Sequence, residues 1–180
     1  MIDVSILVRW LHLVVGVMWI GLLYYFNFVQ VGALAQANAE ASNGGPGAAA
    51  ITKYVAPRAL FWFRWAALAT WLTGAFYLES SAQYAQAGLA GAFSLGANGH
   101  NIQLTSIGMG AWLGTIMLLN VWGLIWPNQK KVLGLVQATD AEKAKARRVA
   151  FLASRANTML SIPMLMFMQA GGHKLPFFMN

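Results

Sequence analysis

Three histidines are the residues of this 180-residue chain best suited to chemistry, and His12 stands out because it lies inside a long apolar segment. An ionisable side chain within such a segment is costly to bury and is usually functional. Arg9, His12 and Gly16 are spaced three to four residues apart and therefore share one helix face. Neutral imidazole suits iron, the glycine lets a flat macrocycle approach the backbone, and Arg9 is placed to pair with a propionate. The pattern indicates a b-type haem site.

A second axial ligand must come from elsewhere in the chain. The candidates are His100, His173 or a methionine, and ligation by two histidines is typical of an electron carrier rather than an oxygen-activating site. Gly110 and Gly114 would offer the macrocycle a second flat surface on another apolar segment. The chain has no cysteine, which excludes a covalent c-type haem and a thiolate-bound iron–sulfur cluster within it.

Two other interpretations of these residues are open. In the first, His12 hydrogen-bonds to a neighbouring helix, and the glycines only allow close helix packing. In the second, the protein binds copper, since methionines are frequent in the last apolar segment and thioethers suit Cu(I). Methionine is also a common gap-filler in apolar helices, so copper is the less favoured metal. The methionines concerned are Met159, Met164, Met166 and Met168.

The composition indicates which elements position these residues. Hydrophobic residues make up 58% of the chain and charged residues only 9%, with a mean hydropathy of +0.55, so an ordinary water-soluble domain is excluded. Four apolar segments are each about long enough to cross a hydrocarbon layer of about 30 Å as a helix. We therefore predict an all-α integral membrane protein, a four-helix bundle that forms a single domain over residues 1–180. The predicted spans are residues 6–29, 60–78, 104–126 and 149–170.

Local signals refine these boundaries. The stretch 35–50, rich in Ala, Gly and Asn, is expected to be a loop. Pro127 is expected to end span three because proline cannot continue a helix. Thr139 and Glu142 have capping-box spacing, so a helix is expected to start there and to continue into span four. Its first part is too charged for lipid and is predicted to extend into the cytoplasm; it contains Lys143, Lys145, Arg147 and Arg148.

The basic residues orient the predicted spans. Loop one carries Lys53 and Arg58, loop three carries Lys130, Lys131 and the extension, and residues 79–103 contain no Lys or Arg. The positive-inside rule then places loops one and three in the cytoplasm and both termini outside. Membrane orientation, rather than a nucleic-acid partner, explains the net charge of +7. We expect a multi-pass protein of the bacterial inner membrane, with all the histidines on its periplasmic side.

A second set of polar residues is expected in the inner third of the spans. None of the acidic residues lies within a span, so the two arginines of the set have no carboxylate partner there. An external anion, either a lipid phosphate or an anionic substrate, is one interpretation. The other is that each arginine stretches to the cytoplasmic headgroups. This inner polar site comprises Asn27, Arg64, Asn120, Arg155 and Asn157.

Four segments of the chain resemble those of a known protein family. They are Arg9-Trp10-Leu11-His12 with Trp19-Ile20-Gly21 and Tyr24-Tyr25-Phe26; Trp62-Phe63-Arg64-Trp65 through Thr70-Trp71-Leu72-Thr73-Gly74; Asn120 through Pro127-Asn128-Gln129; and Asn157 through Pro163 to His173. They are similar to the membrane domain of bacterial membrane-bound urate hydroxylases, the urate oxidase N-terminal family. The first segment also resembles copper-resistance D-type and protoporphyrinogen-oxidase-like membrane proteins.

The resemblance has implications for the cofactor and for the ligands. In the wider group a first-span histidine is associated with haem or metal, which favours His12, and His173 is preferred over His100 because it lies in a resembling segment. The urate hydroxylases have an acidic residue where Ala66 stands and a histidine where Ala156 stands. They also carry a C-terminal cytochrome c domain that these residues do not resemble. The resemblance therefore implies the fold and a periplasmic-side haem more than urate chemistry.

These observations lead to three functional hypotheses. The leading one is a b-haem electron carrier in respiratory electron transfer, acting as a subunit or partner of a larger membrane complex or as a homo-oligomer. It would exchange electrons with a periplasmic cytochrome c. The second is a short urate-hydroxylase-like membrane oxidoreductase that works with a separate cytochrome c. The third is a haem-free structural subunit, in which the histidines only pack. No residue is assigned a catalytic role.

Overall fold

The structure, a computed structural model, describes residues 4–84, 86–97 and 102–173, without the side chains of residues 172 and 173. Every regular element in these ranges is a helix, which confirms the all-α prediction. The α-helices are α1 (Val4–Tyr24), α2 (Val31–Ala41), α3 (Ala56–Ser80), α4 (Gly88–Phe93), α5 (Ile102–Leu119), α6 (Trp126–Val132) and α7 (Asp140–His173).

Short π-helical segments adjoin these helices. Segment π1 (Tyr25–Gln30) joins α1 to α2, π2 (Ile51–Val55) precedes α3, and π3 (Asn120–Ile125) joins α5 to α6. A π-helix is rare and carries an extra residue per turn, and such segments are frequent at functional sites. Two of the predicted inner polar residues, Asn27 and Asn120, lie in π1 and π3.

Three helical stretches are long and apolar enough to cross a membrane: Val4–Ala41, Ile102–Val132 and Asp140–Gly171. They contain predicted spans one, three and four and characterise the chain as a membrane protein. Predicted span two forms α3, a helix of 25 residues, but it is not among these stretches. It carries Arg58 and Arg64, which lower its apolar character. The four-helix bundle and its orientation therefore stay predictions.

The start of α7 confirms the predicted capping box. The backbone N–H of Thr139 donates to Oε2 of Glu142 at 2.8 Å, and the N–H of Glu142 donates to Oγ1 of Thr139 at 3.3 Å. This reciprocal arrangement satisfies two backbone donors that have no partner inside the helix. The charged extension and span four consequently form one continuous helix.

Two other predicted boundaries are wrong. Pro127 does not end the third helical stretch, which continues to Val132. The proline occupies the first turn of α6, where its missing N–H is not needed. The predicted loop at 35–50 is helical as far as Ala41, because the segment is rich in alanine, the best helix former.

The chain divides into two compact units, which are described separately. Unit 1 comprises Met1–Val15, Leu68–Leu118 and Met159–Asn180, and unit 2 comprises Gly16–Ala67 and Leu119–Thr158. The haem-site predictions fall mainly in unit 1. All residues of the predicted inner polar site fall in unit 2.

Each unit has its own apolar packing. In unit 1, Leu78, Tyr84 and Ala92 form a buried cluster, so the predicted loop two is partly an ordered, packed segment that includes α4. In unit 2, Leu23 and Phe63 are almost completely buried, and the ring of Phe63 meets Phe26 edge-on at 5.5 Å between centroids. These contacts fix the helices that carry the polar side chains.

Candidate functional site

The His12 imidazole is held by the backbone of α3 within unit 1. Its Nδ1 lies 2.8 Å from the carbonyl oxygen of Thr70 and 3.3 Å from Oγ1 of Thr73. Because a carbonyl oxygen only accepts hydrogen bonds, Nδ1 carries the proton and donates it to Thr70. The Nε2 atom then keeps its lone pair. A histidine that ligates a metal usually has this arrangement, with its other ring N–H donated to a carbonyl or a carboxylate.

Gly74 provides the space in which the His12 ring lies. A Cβ at position 74 would come within 2.9 Å of Cε1 and 3.2 Å of Nδ1 of His12, closer than ordinary van der Waals contact. The hydroxyl of Thr73 donates to the carbonyl of Ala69 at 2.7 Å, and this fixes its rotamer beside the ring. The position and the tautomer of His12 are therefore set by one turn of α3.

This contact bears on both interpretations of His12. The hydrogen bond to another helix, expected if His12 only packs, is present, but it uses Nδ1 and leaves Nε2 for a ligand. Thr70, Thr73 and Gly74 were not predicted as site residues. Their segment carries the family resemblance, and its Thr-x-x-Thr-Gly spacing is the signal that the sequence offers for them.

The glycines predicted to line a macrocycle have different surroundings. A Cβ on Gly110 would meet Sδ of Met168 at 3.2 Å, so the surface expected to be flat and open is covered by a methionine. Gly114 is buried, and nothing lies within 4 Å of the position of its missing Cβ. Gly16 is half-buried one turn beyond His12 in α1, and its contact with a cofactor stays a prediction.

Tyr84, which lies between α3 and α4, contacts α7 within unit 1. Its hydroxyl donates to the carbonyl of Gly171 at 2.9 Å. Burial raises the pKa of Tyr84, Tyr77 adds to the rise, and the positive charge of Arg9 opposes it, so Arg9 lies near enough to act on this phenol.

The structure describes the two candidate second ligands, His173 and His100, to different extents. His173 is the last residue of α7 and belongs to unit 1, as does His12, but its side chain is outside the described part. His100 lies outside the described residues altogether. In the part of the chain that the structure describes, no three His, Asp or Glu side chains group as a metal site. Ligation of haem by His12 and His173 stays a prediction.

The methionines proposed for copper differ in their exposure, and copper binding stays a prediction. Met159 and Met166 are 73% and 44% exposed on the outer surface of α7, whereas Met164 is buried. Met168 packs against Gly110. This range of exposure is also expected of methionines that fill apolar surface.

In unit 2 two of the predicted asparagines, Asn27 and Asn120, hydrogen-bond to side chains of α7. The Asn27 amide donates to Oγ of Ser154 at 2.8 Å and to the carbonyl of Leu23 at 2.9 Å. The Asn120 amide donates to Oδ1 of Asn157 at 2.9 Å, and Asn157 is completely buried. Ser154 was missed, although it lies one helical turn before Asn157 and so shares its face. The pairs join π1 and π3 to α7.

The two predicted arginines each lie on an aromatic ring. The guanidinium carbon of Arg64 is 3.8 Å from the centroid of Trp126, and Lys130 approaches the same ring at 5.9 Å. Arg155 is exposed and lies 5.1 Å from the centroid of Phe151. Cation–π contact of this kind stabilises a charge without an acidic partner. The described contacts favour separate roles for the two arginines over a shared anion between them.

Unit 2 also contains four buried polar atoms without a hydrogen-bond partner among the described residues. A buried polar atom left unpaired costs about 1–3 kcal/mol, so such groups normally meet an ordered water or a ligand. Three of the four lie in π1 and π3, where the π-helical geometry changes the direction of the side chains. The atoms are Nε1 of Trp19, Oδ1 of Asn27, Oε1 of Gln30 and Nε1 of Trp122.

Comparison with known proteins identifies one family. The urate oxidase N-terminal family matches residues 2–91 and 99–178 of the chain. No curated protein and no solved structure matches the chain significantly. The matched ranges include both the His12 site of unit 1 and the asparagine pairs of unit 2, and they confirm the resemblance found in the sequence.

Proposed function

The chain belongs to the urate oxidase N-terminal family, and from that premise we propose that it is a membrane electron-transfer subunit that binds a b-type haem through His12. It acts within a larger membrane complex or a homo-oligomer of the bacterial inner membrane. Its partner in electron exchange is a periplasmic cytochrome c.

The observation that carries this proposal is the hydrogen bond from Nδ1 of His12 to the carbonyl of Thr70. It selects the tautomer in which Nε2 is unprotonated and orients the ring before any ligand arrives. Gly74 has no side chain, and this leaves room for the His12 ring beside α3. A preoriented, neutral imidazole in an apolar helix is a fitting axial ligand for a haem.

The other residues of unit 1 have supporting roles in the proposal. His173, at the end of α7, is the preferred second ligand, and Arg9 is the residue expected to pair with a propionate. A haem held by these residues would supply one-electron transfer. The protein residues hold the ring of His12, exclude water and keep the proton on Nδ1.

A spectrum of the purified protein tests the proposal. Detergent-solubilised protein is expected to show a Soret band and sharp reduced α-bands. A colourless, metal-free protein that is folded and correctly inserted would contradict the proposal and would support the haem-free structural subunit.

A second candidate function is a urate-hydroxylase-like oxidoreductase that works with a separate cytochrome c. Family membership supports it. Loss of urate absorbance that depends on oxygen or on added cytochrome c would identify the enzyme. An electron carrier would leave urate unchanged.

The proposed orientation places both termini in the periplasm. Reporter fusions after Lys131 are expected to behave as cytoplasmic, because the basic residues of loop three stay inside. Fusions after Asn180 are expected to behave as periplasmic. The reverse pattern would move His12 to the cytoplasmic side and would exclude exchange with a periplasmic cytochrome c.

A further inference from the structure

A cleft of about 370 Å³ lies in unit 2, between π2 and the turn that follows α6. Thr52 and Lys53 of π2 line one side, and Val132, Leu133 and Leu135 line the other. Its volume is at the small end of ligand cavities, which range from about 300 to 1,000 Å³. The lining is mainly apolar and includes one cation, Lys53.

The turn after α6 keeps this apolar lining in place. The N–H of Leu135 donates to the carbonyl of Lys130 at 2.9 Å, and the N–H of Gly134 donates to the carbonyl of Lys131 at 3.2 Å. Gly134 has a φ of 76°, a left-handed conformation that reverses the chain at the helix end. Leu135 is nevertheless 63% exposed, so a large apolar side chain is held at the surface rather than buried.

The charges around the cleft are positive, and among the described residues none of them forms an ion pair, although Lys131 acts electrostatically on Glu142. Lys53 is exposed, and its described contact is with the ring of Tyr54 at 5.4 Å. Lys130 and Lys131 form the last turn of α6. Within the described ranges, the ion pair present joins Lys143 to Asp140, and it includes none of these lysines.

We propose that this cleft binds one anionic phospholipid, with an acyl chain on Leu133 and Leu135 and the phosphate on Lys53. The apolar lining suits the acyl chain of such a lipid, and Lys53, which forms no ion pair among the described residues, suits its phosphate. Basic residues beside a membrane helix attract anionic headgroups. Lys130 and Lys131, in the last turn of α6, add positive charge nearby, and Glu142 offsets part of it. The proposal depends on membrane insertion and is independent of the haem.

The test measures lipid retention by native mass spectrometry of the purified full-length protein in mixed micelles. The probes are phosphatidylglycerol and phosphatidylcholine with identical acyl chains. We expect the wild-type protein to retain phosphatidylglycerol in preference to phosphatidylcholine. Lys53→Gln is expected to reduce that preference about five-fold, the effect of one lysine near an anionic surface. Lys145→Gln, which removes the same charge from the exposed face of α7, is expected to leave it unchanged.

A second variant separates a lipid site from a simple phosphate site. Leu135→Gln is expected to weaken retention of phosphatidylglycerol, and because the side chain is exposed the fold should be unaffected, as circular dichroism will show. Inorganic phosphate at millimolar concentration is expected not to displace the lipid. Equal retention of both lipids, equal losses in Lys53→Gln and Lys145→Gln, or displacement by phosphate would each overturn the proposal.

Discussion

The imidazole of His12 lies against the backbone of Gly74, so closely that a Cβ at position 74 would come within 2.9 Å of Cε1 of the ring. The two residues are far apart in the chain and belong to the same compact unit. A side chain at 74 would displace the ring from the carbonyl of Thr70, which sets the tautomer of His12. The properties of the candidate haem ligand therefore depend on a glycine of another helix.

Replacing this glycine tests the dependence. Gly74→Ala is expected to destabilise the protein by about 1–3 kcal/mol, the usual cost of overpacking, and to lower haem content. Gly21→Ala is the matched control, because nothing lies within 4 Å of its Cβ position. The control is expected to be neutral or to stabilise the helix by about 0.5–1 kcal/mol. Thermal unfolding and the Soret absorbance measure both effects, and equal behaviour of the two variants would argue against a spatial role for Gly74.

The buried amide pair of unit 2 is expected to behave as a coupled unit. Asn157→Leu leaves the Asn120 amide without its partner at 2.9 Å, and we expect a loss of about 1–3 kcal/mol in the free energy of unfolding. Adding Asn120→Leu should recover part of the loss, because both polar groups are then removed. A double-mutant cycle by denaturant titration measures the coupling. Simple additivity of the two losses would show that the hydrogen bond contributes nothing.

Arg64 is expected to stabilise the fold without contacting the haem. Arginine holds its protons and has no lone pair for a metal, and its guanidinium lies 3.8 Å from the Trp126 centroid. Arg64→Gln should lower stability by about 0.5–2 kcal/mol, through loss of the cation–π contact, and leave the haem spectrum intact. Arg64→Lys, which keeps the charge but not the planar stacking, should be intermediate. Loss of haem from folded Arg64→Gln would place the macrocycle in unit 2 instead.

The titration of Tyr84 is expected to make the free energy of unfolding depend on pH in the alkaline range. Its folded-state pKa is raised by burial above the ordinary value of about 10, so the folded protein retains a proton that the unfolded chain loses. This contribution is complete below pH about 10 and is lost as the pH rises through the folded pKa.

The corresponding variant removes both the titration and the hydrogen bond to Gly171. Tyr84→Phe is expected to cost about 0.5–1.5 kcal/mol at neutral pH and to show a flatter decline above pH about 10. Unfolding midpoints between pH 8 and about 11 measure this, with exposed Tyr54→Phe as the control. A decline identical to that of the wild type would exclude Tyr84 as its source.

The sequence was sufficient to predict the four long helices, but α2 and α4 fall in predicted loops. Long apolar segments located the four helices, and the Thr139–Glu142 spacing located the start of α7. It could not reveal π1 and π3, because one extra residue in a turn leaves the hydropathy of a segment unchanged. Pro127 was predicted to end a helix that continues to Val132, because residue type alone does not tell a proline that ends a helix from one in a first helical turn.

The partners of the predicted side chains depend on tertiary packing. His12 could be predicted because it is an ionisable residue in an apolar segment. Its contacts with Gly74 and the Thr70 carbonyl form only when α3 packs against α1, so they could not be predicted. Ser154 was likewise invisible as the acceptor for Asn27, since a serine in a helix has many ordinary roles. Backbone carbonyls and glycines carry no chemical signal of their own in a sequence.

The most direct test of the central claim is the reduced absorption spectrum of His12→Ala beside that of the wild type, both purified from membranes and checked for folding. We predict a low-spin b-haem spectrum for the wild type and its loss in His12→Ala, because the Nε2 ligand is removed while the apolar surroundings are kept. An unchanged low-spin spectrum in inserted, folded His12→Ala would contradict the assignment and would leave His12 as a packing residue that hydrogen-bonds to Thr70.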